Sequence, residues 1–169
     1  MMWRMLRTIL ILPGTALVFV PGAIVWTSAG TAYAGNWPGP GQIGFWAGVA
    51  SLGVGLFLAG WTMRLFVTVG QGTPAPWDPP QKLVVRGPYC HVRNPMISSV
   101  VFMLAAEALL YQSWPLAAWG LFFFAANAVY FPLSEEKGLE RRFGDDYRTY
   151  KANVPRWIPR IRPWRPGDE

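Results

Sequence analysis

One cysteine and one histidine occur in 169 residues. Cys90 alone excludes an internal disulfide framework. Together with His91 it falls short of the about four ligands a structural zinc site takes, so no metal is expected. Charge is scarce as well. Only 14% of residues are charged, against roughly 25% in soluble domains, and residues 27–42 carry no charge at all. These shortages argue against a soluble globular enzyme. What is present leans toward lipid: 52% hydrophobic and 15% aromatic residues, with a mean hydropathy of +0.22. Sixteen prolines and eighteen glycines exclude one uninterrupted coiled coil.

Four apolar stretches cover about residues 9–26, 43–63, 96–111 and 114–133. Each is near the about 20 residues that cross the hydrocarbon core as a helix, the third being the shortest. None alternates with period two, so none reads as a strand. Only Gln112 and Ser113 separate the last two, which predicts a tight helical hairpin. The expected fold is an all-α integral membrane protein. It is one membrane domain over residues 1–169, with four transmembrane helices, a cytoplasmic loop at 70–95 and a cytoplasmic tail at 134–169.

Basic residues orient these spans. Fourteen of the fifteen Lys and Arg fall before the first span, in the 70–95 loop or after the fourth span, and Arg64 sits at the inner end of the second. The positive-inside rule then places both termini in the cytoplasm and the chain in the cell (inner) membrane. The net charge of +6 is thereby a topology signal, assisted by anionic lipid, and no nucleic-acid partner is expected. Arg4, Arg7 and an Ala32, Tyr33, Ala34 site before Gly35 also resemble a secretory signal peptide. The apolar run is longer than the about 7–15 residues of a signal core, and Trp26 suits an interfacial anchor. A retained first helix is expected.

Within the spans, Gly44, Gly48, Gly55 and Ala59 lie largely on one face, as close helix packing in lipid requires. Pro13 and Pro21 predict a kink in the first span. Glu107 lies about one turn from the outer end of the third, where its carboxyl reaches the interface. Phe122, Phe123 and Phe124 read as packing or lipid-facing sequence.

The cytoplasmic face holds the informative clusters. Residues 70–80 contain four prolines and predict an extended loop with Trp77 at the headgroups. Asn94 suits an N-cap and Pro95 a first helical turn. Arg93 and Asn94 then stand at a helix N-terminus, where an anion is favoured. After the fourth span, Glu135 and Glu136 at a helix C-terminus oppose the helix dipole, which calls for a cationic partner, Arg93 being a candidate. Leu139, Phe143, Tyr147, Tyr150 and Val154 form an amphipathic stripe with a permitted break at Gly144. Arg142 and Asp146 suit an i,i+4 pair if the helix continues through that break. Arg156, Arg160, Arg162 and Arg165, with Trp157 and Trp164, suit contact with anionic lipid.

In order along the chain stand Gly87-Pro88-Tyr89 with Arg93-Asn94-Pro95, Glu135-Glu136 with Leu139, Phe143-Gly144 with Tyr147 and Tyr150, and Val154-Pro155-Arg156-Trp157-Ile158-Pro159-Arg160. Together they resemble the isoprenylcysteine carboxyl methyltransferase family, which has bacterial members and is related to phospholipid methyltransferases. The resemblance runs from about residue 70 to 160. It departs from the phospholipid-methyltransferase R-H-P-x-Y-x-G form at Asn94, Ile97 and Ser99.

This resemblance implies methyl transfer from S-adenosylmethionine to a small hydrophobic or lipid-like acceptor, a carboxylate, amine or thiol, entering from the membrane lipids. Arg93 and Glu136 are the catalytic candidates. Arg93 would take the cofactor's carboxylate, and Glu135 or Glu136 its amine or ribose. Tyr89, Val92, Met96 and Leu139 would line the adenine slot. Gly87, His91, Asn94 and Pro95 belong to the same site by motif. Glu136 or His91 would accept a proton from an amine or thiol acceptor. By residue type alone, His91 also suits an interfacial histidine and Cys90 a small packing residue. Two other classes stand beside this reading. An NADPH-dependent membrane reductase of related fold would need extra cations for phosphates, and a non-enzymatic membrane partner retaining the scaffold would bind no methyl donor.

Overall fold

The computed structural model describes residue 11, residues 13–71 and residues 80–167. The expectations placed on Arg4, Arg7, Trp77 and the start of the first span lie outside them. All regular structure among the described residues is helical. A π-helical turn, Thr15–Phe19, leads into α1 (Val20–Ser28), and α2 (Ile43–Leu65) ends in a second π-helical turn, Phe66–Gly70. After a short 3-10 turn, Gly87–Cys90, come α3 (Pro95–Leu110) and α4 (Trp114–Tyr130). A third π-helical turn, Phe131–Glu135, joins α4 directly to α5 (Glu136–Asn153).

Two of these helical stretches, Ile43–Gly70 and the one that begins with α4, are long and apolar enough to cross a membrane. Only 11% and 6% of their most apolar windows are buried inside the protein. An apolar helix that the protein does not cover needs an apolar solvent, and lipid supplies one. Thr15–Ser28 and Pro95–Leu110 are apolar but shorter.

The chain divides into two compact units, Met1–Phe57 with Ser99–Ala126 and Leu58–Ser98 with Asn127–Glu169. In the first, Ala16, Val100 and Leu104 are buried with Leu17, Met103, Trp119 and Phe123 packed around them. Trp119 Nε1 donates to the Ala16 carbonyl at 3.0 Å, so the indole is satisfied within apolar surroundings. Two glycines of α2 allow close approach to α3. A Cβ on Gly48 would stand 2.7 Å from Leu110 Cγ, and one on Gly55 2.7 Å from Met103 Cγ and 2.9 Å from the Ser99 carbonyl oxygen. Between them Ser51 Oγ donates to the Phe102 carbonyl at 2.7 Å. Gly44 does not join this contact, having nothing within 4 Å of its Cβ position, because the close approach starts a turn further along α2.

The second unit is built around the expected stripe. Tyr147, Tyr150, Val154 and Trp164 are buried, with Leu83, Val85, Leu139 and Phe143 packed on them. Gly144, at φ 56° and ψ −127°, breaks the helix inside α5, a conformation that non-glycine residues avoid. This break separates Arg142 from Asp146, and the i,i+4 pair does not form: Arg142 Nη1 donates to the Pro80 carbonyl instead. Beyond α5 the chain returns to the start of α3. Arg93 N donates to the Pro155 carbonyl at 2.9 Å, Arg160 N to that of His91 at 3.0 Å, and Trp164 N to that of Cys90 at 2.9 Å. These bonds satisfy irregular backbone that would otherwise be stranded.

Candidate functional site

The two polar clusters meet within the second unit. Arg93, two residues ahead of α3, donates from Nη1 to Glu136 Oε1 at 2.8 Å. The same oxygen accepts from Arg156 Nε at 2.7 Å. Lys151 Nζ stands 3.1 Å from Glu136 Oε2, an ion-pair contact outside hydrogen-bond geometry, and donates to Glu140 Oε1 at 2.8 Å. Three cations thus converge on a carboxylate with only 3% of its side chain exposed. A buried carboxylate needs such compensation.

The electrostatic premise from the sequence is corrected here. Glu135 and Glu136 do not end a helix. The π-helical turn at Phe131–Glu135 carries α4 into α5 and places Glu136 in the first turn of α5, where the dipole favours an acid. Pro132 lies in that turn and removes a backbone donor, so the chain widens its winding rather than stopping. The cationic partner is nonetheless Arg93.

Beside this cluster lies a cavity of about 180 Å³. One wall comes from the start of α3 and the residues ahead of it, Tyr89, Arg93, Asn94, Met96 and Ile97. The opposite wall comes from Phe131, Glu135, Leu139, Arg142, Phe143 and Tyr147. Phe66, Pro80, the stretch from Lys82 to Val84, and Tyr150 complete it. Arg93 and Asn94, which line the cavity, each carry a buried donor with no hydrogen-bond partner, Arg93 Nε and Asn94 Nδ2. Unsatisfied buried donors are costly, and two adjacent ones suit an anionic ligand group. The Asn94 carbonyl accepts from Ser98 N at 3.0 Å, which fixes the residue at the helix start.

Burial pushes the Glu135 carboxyl above its ordinary value, and the charge of Arg142 opposes this only in part. Burial pushes Glu136 up too. The Arg156 hydrogen bond, the Lys151 ammonium and the Arg93 charge outweigh it and hold this carboxyl below the ordinary value. Adjacent carboxylates are therefore driven in opposite directions. Burial also raises Tyr89, Tyr147 and Tyr150, which keeps their hydroxyls protonated, and Tyr150 donates to the Tyr89 carbonyl at 2.8 Å.

Of the residues singled out from sequence, Tyr89, Arg93, Asn94, Met96, Glu135 and Leu139 line the cavity. Glu136 lies behind the wall, bound to Arg93. Gly87, His91, Val92 and Pro95 do not line it. Gly87 has φ 57° and leaves room for Trp61, whose ring would lie 2.9 Å from an added Cβ. His91 donates from Nδ1 to the Arg160 carbonyl at 2.8 Å, tying down the tail. Val92 is buried, and buried Pro95 opens α3. Sequence reasoning missed Lys82 and Phe66 on the walls, which carry no motif, and Arg156 as a partner of Glu136. Val154-Pro155-Arg156 held the only hint of that last role.

The described residues form a helical protein whose two long apolar helices are scarcely buried, which suits a membrane, with a mainly apolar cavity in its second unit. Its family follows from comparison. Residues 43–146, more than half of the chain, match the family of phospholipid methyltransferases, and the chain belongs to that family. The family resemblance carried by the motifs is borne out in this related group. Membership implies a methyltransferase acting on lipid-like substrates, and with the two long apolar helices it points to a membrane location. No curated protein matches the chain.

Proposed function

We propose that this protein methylates a small hydrophobic or lipid-like acceptor at the cytoplasmic membrane face, using S-adenosylmethionine held in the cavity of the second unit. The carrying observation is the pair of buried, unpartnered donors, Arg93 Nε and Asn94 Nδ2, of two residues that line the cavity at the start of α3. They fit the cofactor's carboxylate, and the N-terminus of α3 favours the same charge. Glu135 on the opposite wall fits its amine or ribose, and Tyr89, Met96 and Leu139 fit the adenine. When bound, the cofactor supplies a methyl group already activated by a sulfonium.

The chain's own part is positioning and exclusion of water. Glu136 holds one end of the Arg93 guanidinium and thereby aims the rest, which makes it a positioning residue. Glu135, raised by burial and in the wall itself, is placed to accept a proton from an amine or thiol acceptor. The reading keeps four spans, with the two shorter apolar helices crossing beside the two long ones and both termini in the cytoplasm.

Titration calorimetry on purified protein with S-adenosylmethionine, S-adenosylhomocysteine and NADPH tests this. Binding of the first two, weakened in Asn94→Leu, is expected. Binding of NADPH alone would return the chain to the reductase reading, and binding of none would leave a scaffold.

A further inference from the structure

The segment after α5 presents apolar side chains to solvent from a backbone that is firmly held. Ile158 is 80% exposed and Ile161 95% exposed. Neither belongs to a loose tail. Arg160 exchanges hydrogen bonds with His91 through N and through its carbonyl, and Arg160 Nη1 donates to the Asn153 carbonyl at 2.7 Å. Trp164 is buried against Tyr150 and its N donates to the Cys90 carbonyl. The two isoleucines are therefore held outward between fixed points, three residues apart on a fixed backbone, where they offer an apolar contact surface.

Charge and position say which partner. From Val154 to Gly167 the chain has four arginines and no acidic residue. Arg156 is committed to Glu136, whereas Arg162 is exposed. Beside the segment a shallow hollow is lined by Arg86, Cys90, His91, Pro163 and Arg165. The ring of Trp157 meets that of Phe131, at the end of apolar α4, with centroids 6.0 Å apart. The segment thus sits level with the place where α4 turns from apolar to polar sequence, the depth of lipid headgroups if α4 crosses the bilayer.

We propose that this segment is an interfacial anchor for anionic lipid. Ile158 and Ile161 enter the boundary between headgroups and acyl chains, and Arg162, with exposed Arg86 of the hollow, meets lipid phosphates. The anchor rests on the membrane placement above and is independent of the chemistry assigned to the cavity.

Nitroxide labels on Ile158→Cys, Ile161→Cys and, as a control, exposed Val54→Cys of α2 test it in the full chain. The chain is reconstituted in phosphatidylcholine vesicles with and without phosphatidylglycerol, and unlabelled wild type checks that buried Cys90 does not react. The anchor predicts that labels at 158 and 161 meet oxygen in preference to a water-soluble nickel chelate. It also predicts that phosphatidylglycerol deepens them and that Arg162→Gln reduces this shift. Labels at 158 and 161 open to nickel while that at 54 is not would overturn the anchor alone. Labels shielded from both reagents would mean protein contact and overturn it equally. All three open to nickel would overturn the membrane placement with it.

Discussion

Glu135 and Glu136 are chemically identical neighbours with opposite environments, and single substitutions separate them. Glu136→Gln removes the negative partner from Arg93 and Arg156, and a broken buried pair costs about 3–5 kcal/mol. Its folded carboxyl lies below the ordinary value of 4.5, so its contribution is present above that pH and is lost as pH falls through the lowered value. Thermal unfolding in detergent is expected to show a large loss for Glu136→Gln at neutral pH, and a gap to wild type that closes in acid. Glu135 has the reverse sign. Burial penalises its charged form, so Glu135→Gln should match or exceed wild-type stability at neutral pH while losing cofactor affinity. Asn94→Leu belongs with it: deleting an unpartnered buried donor should not destabilise the fold. Loss of a hydrogen bond to a charged ligand group should cost about 1.5–3 kcal/mol, roughly a 10- to 100-fold weaker Kd by calorimetry. The sequence made Arg93 and Glu136 legible through a charge conflict at an assumed helix end. That end does not exist, yet a carboxylate in apolar surroundings still required a cation, which is why the partner was right.

The helices were readable from uninterrupted apolar runs, and α3 and α4 fall within a few residues of their expected limits. What could not be read was how the helices end. Pro132 and the turn after α2 are absorbed by π-helical windings that depend on what packs beside them. Small residues along α2 likewise announce close packing without saying which of them touch. Gly55→Leu drives side-chain atoms into the α3 backbone at Ser99 and should cost about 1–3 kcal/mol, whereas Gly44→Ala and Gly53→Ala, with nothing within 4 Å, should be neutral or stabilising. Equal effects at all three in a detergent unfolding series would contradict the contact. Gly144→Ala forces a side chain onto φ 56° and should destabilise the second unit by about 1–3 kcal/mol.

For the whole molecule, the proposed orientation rests on one asymmetry of charge. Thr31→Cys in the uncharged 27–42 segment should react with a membrane-impermeant maleimide in intact cells, and Lys137→Cys only after lysis; the opposite pattern would invert the topology. The family implies a methyltransferase, and the methyl donor is proposed to sit in the cavity of the second unit. A structure determined with saturating S-adenosylhomocysteine tests that most directly. The account predicts ligand density in the cavity, its carboxylate against Arg93 and Asn94 and its adenosine toward Glu135 and Leu139. Ligand density elsewhere in the molecule, with this cavity closed by its own side chains, would contradict it.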